Sequence, residues 1–146
     1  MKTIKQLFTA CLFLTAFVSY SQGTGPSITV NNTLLNCQIE VTFYQMNTTT
    51  MDCGALISTS FGLGVMSTQT VSPMPGHAFV RAFVQKGGGT PSCFMAWVEP
   101  NDSPCDTISI NEGEYFSQCC SSSLAGGTHV KWSGGMGGPV IEVGNS

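Results

Sequence analysis

CQIEVTFYQM, residues 37–46, is the stretch whose reading decides the fold. Ile39, Val41 and Phe43 alternate with Gln38, Glu40 and Thr42, the period of two that places one set of side chains on each face of an extended strand. The apolar set is built to be covered. The polar set predicts that the other face of this strand meets solvent.

Outward from this strand the same pattern recurs in short runs separated by Gly, Pro, Asn and Ser. SITVNN (27–32) reads as a strand before it. ALISTSF (55–61) and GVMSTQTV (64–71) read as two strands after the polar connection NTTTMDCG (47–54), with Gly62 and Gly64 as interruptions. SPMPG (72–76) is a turn, because two prolines fix φ and Gly76 admits positive φ. HAFVRAFVQ (77–85) follows, and strict alternation puts Phe79 and Phe83 together on one face and Ala78, Val80, Ala82 and Val84 on the other. Apolar residues on both faces predict a central strand. CFMAWVE (93–99), TISI (107–110), THVKW (128–132) and VIEV (140–143) complete the series, with KGGGTPS (86–92) and SGGMGGP (133–139) as loops. No segment past residue 21 shows a helical period. About seven to nine short strands with frequent turns predict an all-β fold, a single antiparallel β-sandwich of the immunoglobulin or fibronectin III type.

The first 21 residues stand apart. Lys2 and Lys5 form a basic head, an apolar run extends from Leu7 to Val18, and Ser19-Tyr20-Ser21 supplies small residues for cleavage. This is the anatomy of a secretory signal peptide, and its apolar run falls short of the roughly 20 residues a membrane span requires. Cys11 follows FTA as in a lipoprotein box, but LFLTAFV continues the apolar stretch beyond it, so Cys11 reads as an ordinary leader residue. The expected mature chain, 22–146, is long enough for one domain. Its cations are Arg81, Lys86 and Lys131 against eight acids. That balance excludes electrostatic binding to nucleic acid or to an anionic membrane.

Beyond Cys11 lie Cys37, Cys53, Cys93, Cys105, Cys119 and Cys120. An even number, six, in an exported chain predicts a framework of three disulfides. Neither the paired spacing of a zinc site nor a Cys-x-x-Cys redox motif occurs. Cys119 and Cys120 are adjacent in SQCCSSS (117–123), and in an extended segment they point to opposite sides, each toward its own partner. Spacing alone does not choose the connectivity, although Cys37 with Cys53, flanking one hairpin, is the local pair.

Catalytic signatures are absent from the sequence, so no catalytic residue and no cofactor is assigned. His77 and His129 are the only histidines, and each opens a strand after a glycine. Asp102 and Asp106 are the calcium candidates of EPNDSPCD, but the loop lacks the Asp-x-Asp-x-Asp-Gly rhythm and reads better as a solvated face, so no metal is assigned. The glycine runs lack the strand and helix context of a phosphate cradle. Asn31, Asn47 and Asn101 open N-glycosylation triplets, and Asp106-Thr107-Ile108 matches the triplet used for periplasmic O-glycosylation, which marks Thr107.

The leader's end, SYSQG, resembles those of exported proteins of diderm bacteria, and VSPMPGHAFVRAFV (71–84) resembles the Pro-Gly turn and following strand of fibronectin- and immunoglobulin-like modules. The resemblance implies a protein of the periplasm or cell surface that binds, adheres or packs within an envelope assembly. A non-enzymatic module with a protein or glycan partner, or one that associates with itself, is the leading expectation. Tyr44 and Trp132, large aromatics near strand ends, are the expected contact surface. A small secreted hydrolase or metal-dependent lytic enzyme is the alternative, and it requires His77 or His129 beside a carboxylate in a pocket. A self-assembling surface fibre subunit is the third reading.

Overall fold

The computed structural model describes residues 24–87, 95–100, 103–105, 112–115, 120, 128–135 and 138–145. These residues form nine strands and no helix. The strands are β1 (Ile28–Asn32), β2 (Ile39–Asn47), β3 (Ile57–Leu63), β4 (Ser67–Val71), β5 (His77–Lys86), β6 (Met95–Val98), β7 (Glu112–Tyr115), β8 (Thr128–Gly135) and β9 (Gly138–Asn145). One sheet has the order β4-β1-β9-β8-β7 and the other β3-β2-β5-β6. Strand β7, EGEY, was not expected, because Gly and Glu are poor strand formers; its pairing with β8 sets it in place. The expected strand 107–110 lies outside the described residues.

The alternation in β2 has the predicted consequence. Ile39, Val41 and Phe43 are fully buried, whereas Glu40, Thr42 and Tyr44 on the other face are half-buried. The buried set joins Ile28 and Val30 of β1, Val130 and Trp132 of β8, and Ile141 and Val143 of β9 in one core that draws on both sheets. Phe43 sits at its centre, with ring centroids 4.4 Å from Phe79, 6.0 Å from Phe61 and 6.3 Å from Trp132, the last edge-on. Each such side chain contributes roughly 1.5–3 kcal/mol by leaving water.

Two expectations about the sheets are corrected. The fold is not wholly antiparallel, because β1 runs parallel to β9 over Thr29–Asn32 while pairing antiparallel with β4 on its other side. A period of two reports faces and carries no information about a neighbour's direction. Phe79 and Phe83 do not share a face either. Tyr44 pairs with Arg81 but Gln45 pairs with Phe79, so the ladder steps past Val80. A bulge of this kind reverses the phase of the strand beyond it. Phe79 thereby enters the core beside Phe43, Phe83 stays on the outer face, and Val80 packs with Met46 and Cys105 in a second cluster.

Among the described residues the disulfides are Cys37–Cys120 and Cys53–Cys105, so the local Cys37–Cys53 pair is not made. The reason is length. Strand β2 lies between the two cysteines, and its nine residues at about 3.3 Å each separate its ends by about 30 Å. Cys53 accompanies the turn of the β2–β3 hairpin while Cys37 stands at the hairpin's open end. The Cys37–Cys120 bond joins the approach to β2, in one sheet, to the segment between β7 and β8 of the other. Cys93 and Cys119 lie outside the described residues.

Two buried polar side chains, Gln45 and Asn32, are matched to donors and acceptors. Gln45 is buried; its Nε2 donates to Thr59 Oγ1 at 3.1 Å and its Oε1 accepts from the Met74 amide at 2.7 Å, which ties the Pro-Gly turn to β2. In that turn Gly76 has φ of +72°, as its composition predicted. Asn32 is fully buried at the end of β1, where Nδ2 donates to the carbonyls of Cys37 and Gly64 and Oδ1 accepts from the Leu34 amide. It thus holds together three chain segments. Asn32→Ala removes all three bonds and strands buried carbonyls, so a loss of about 2 kcal/mol in unfolding free energy is expected from urea titration.

Candidate functional site

The outer face of the four-stranded sheet carries a cluster of large side chains that the core does not use. On β2 the phase that buries Phe43 turns Tyr44 outward, and Arg81 stands directly opposite it on β5. Two residues along β5, Phe83 faces Trp97 of β6 across the next ladder. The Trp97 ring lies 4.8 Å from Phe83 and 5.3 Å from Tyr44, centroid to centroid. Arg81 completes the group, its Cζ 4.9 Å from the Tyr44 ring and 5.2 Å from the Trp97 ring. All four residues are half-buried.

The electrostatics of this cluster are specific. Arg81 is the chain's only arginine, and an aromatic face attracts a guanidinium by roughly 0.5–2 kcal/mol according to its exposure. Two rings hold the charged plane in one place. Farther along the same face Thr42 and Ser60 share a 2.8 Å hydroxyl contact, and Gln85 Nε2 donates to the Glu40 carboxylate at 3.0 Å. The arrangement offers ring faces, fixed N–H donors and hydroxyls on one sheet face. No hydrogen bond described within it pairs a nucleophile with a base.

The outer face of the five-stranded sheet differs in kind. There β1 and β4 meet through side-chain contacts between Thr29 and Thr70 at 3.1 Å and between Asn31 and Thr68 at 2.9 Å, flanked by Ser27 and Ser72 at 2.8 Å. No aromatic residue joins that ladder.

A cavity of about 410 Å³ opens at one end of the core, its walls including Pro26, Pro100, Pro104, Pro139, Phe79 and Trp132. It has the volume of a small-molecule pocket. Among the described residues its lining provides no ionisable group to orient a ligand, which ranks it below the sheet face.

Of the expected contact residues, Tyr44 belongs to the outer cluster and Trp132 does not. Trp132 is 6 % exposed and packs in the core; it stands in phase with Val130 across the exposed Lys131, and that phase turns it inward. His77 opens β5 and His129 is the second residue of β8, in different sheets, and His77 Nδ1 lies 3.0 Å from the Pro75 carbonyl oxygen. Among the described residues no three His, Cys, Asp or Glu side chains gather as a metal site. The side chains of Asn31 and Asn47 are engaged, the first accepting from Thr68 and the second from the Thr49 and Thr50 amides. Asp102, Asp106, Thr107 and Asn101 lie outside the described residues.

Arg81, Phe83 and Trp97 were not anticipated as site residues. Each occupies an outward position of its strand, so some of the signal was present in the alternation. Their meeting depends on the β2–β5–β6 register.

No family model, curated protein or solved structure matches the chain. The functional reading therefore rests on the geometry. Among the described residues no helix is long and apolar enough to cross a membrane.

Proposed function

We propose that the chain is an exported, non-enzymatic binding module that holds a glycan on the outer face of its four-stranded sheet. The observation that carries this reading is Arg81 set over the adjoining Tyr44 and Trp97 rings, outside a core that Phe43, Phe79 and Trp132 already fill. A sugar ring presents C–H groups on its faces and hydroxyls at its rim. Ring faces suit the first, and the guanidinium, Gln85 and Thr42 suit the second. The hydroxyl, amide and carboxylate groups along this face favour a glycan over a protein partner, whose contacts would call for a wider apolar surface. Architecturally the reading is of a β-sandwich of the immunoglobulin or fibronectin III type, in which function resides on a face of the scaffold. Its place is the periplasm or cell surface, in keeping with the leader and the disulfides.

Calorimetric titration with soluble envelope and extracellular polysaccharides tests this. The protein is expected to bind at least one, and Trp97→Ala to weaken that binding at least roughly tenfold, about 1.4 kcal/mol, while the far-UV spectrum is unchanged. Arg81→Lys keeps the charge but loses the planar stack, so several-fold weakening is expected. Failure of every glycan to bind, or wild-type affinity in both variants, would overturn the reading.

A further inference from the structure

Among the described residues the sheets end on one side in β6 and β7, with Pro100 just past β6. A proline is one of the usual means of keeping a sheet edge from pairing. On the other side the sheets end in β3 and β4, seven and five residues long. The whole stretch 57–71 contains neither a charged residue nor a proline.

The β3 edge is also incompletely covered. Ile57, Thr59, Phe61 and Leu63 face the core side, opposite Gln45, Phe43, Val41 and Ile39 of β2. Leu63 is buried, Phe61 is half-buried, and Ile57 is 36 % exposed. Apolar residues in the core phase of an edge strand are completed by a further strand laid alongside, which would also take up the edge's backbone groups.

We propose that two copies of the chain pair through β3, antiparallel about a two-fold axis centred on Ser60, so that the two four-stranded sheets become one. The occupant is a second copy because the strand complements itself. Centring on Ser60 sets Ile57 against Leu63 of the partner subunit and Thr59 against Phe61 of the partner subunit, and no charge opposes the approach. An axis normal to the sheet turns both outer faces the same way. Each β5 lies two strands from its β3 edge, so the two Arg81 clusters stand about five strand spacings, or about 24 Å, apart. The pairing stands without the glycan reading; if both hold, a polymer with repeating units engages two sites at once.

Sedimentation equilibrium of the exported, disulfide-intact protein over a wide concentration range tests the pairing. A reversible monomer–dimer equilibrium is expected. Ser60→Lys places two ammonium groups face to face across the axis and should raise the dissociation constant at least roughly tenfold. Met95→Lys, an exposed position on the opposite edge, should leave it unchanged. Hydrogen exchange on the unaltered protein supplies a reading that does not depend on a variant's folding: the amides of β3 should gain protection as concentration rises. A protein that stays monomeric throughout, association unmoved by Ser60→Lys, or association weakened as much by Met95→Lys would overturn the proposal.

Discussion

Replacing Phe43 by Ala is expected to lower the unfolding free energy by about 4 kcal/mol, within the range for a phenylalanine removed from a close-packed core. The ring is fully buried and meets Phe61, Phe79 and Trp132, so the vacancy would have aromatic walls on three sides. Those walls cannot collapse easily. Phe79 is held by the bulge in β5, and Trp132 belongs to the opposite sheet. Lost aromatic pairing adds roughly 0.5–1.5 kcal/mol per contact to the lost burial. Guanidinium titration followed by tryptophan fluorescence should show an earlier midpoint. A loss under about 1 kcal/mol, typical of a conservative core exchange, would mean that Phe43 is not the centre of the packing.

The second large effect concerns Cys37 and Cys120. Replacing both by Ala opens a bond whose partners are 83 residues apart, and the chain-entropy relation gives about 4.5 kcal/mol for a loop of that size. Both cysteines are buried at 1 % exposure, so removal also disturbs the core. Opening Cys53–Cys105 releases a loop of 52 residues and is worth about 4 kcal/mol on the same relation. Its Cys53 end is exposed and only Cys105 is buried, beside Met46 and Val80, so packing is lost at one end instead of two. The expected order, measured by urea titration without reductant, is therefore a larger loss for the Cys37–Cys120 double variant. The reverse order would show that loop closure and burial are not what these bonds contribute.

How much of this was legible beforehand can be judged residue by residue. The period of two in β2 showed both its buried and its outward residues, because alternation is local information. The same rule misassigned Phe79 only because the bulge beside Arg81 is a property of the β2–β5 pair, absent from either strand alone. Strand β7 escaped because its stability comes from β8 and not from Gly113 or the glutamates. The disulfide partners were hidden for a similar reason, since chain proximity favoured Cys37 with Cys53 while the rigid length of β2 forbids it. Tyr44 and Trp132 could have been separated. Tyr44 is in phase with Glu40 and Thr42, Trp132 with Val130, and proximity to a strand end was the weaker criterion. Arg81 and Trp97 are brought together by register across three strands, which no single strand's pattern contains.

The parallel pairing of β1 with β9 bears on how the protein would respond to being pulled. The chain enters at the Ile28 end of β1 and leaves at the Asn145 end of β9, and because the strands run in the same direction these ends lie at opposite extremes of the pair. Tension between the termini therefore slides the two strands past one another along their length. Their inter-strand hydrogen bonds are loaded together and must fail together, whereas in a hairpin pulled from its open end they would break singly, in succession. For a module tethered at one end and drawn from the other, this strand pair is a shear clamp, and its rupture rate, more than its equilibrium stability, sets how long the module holds.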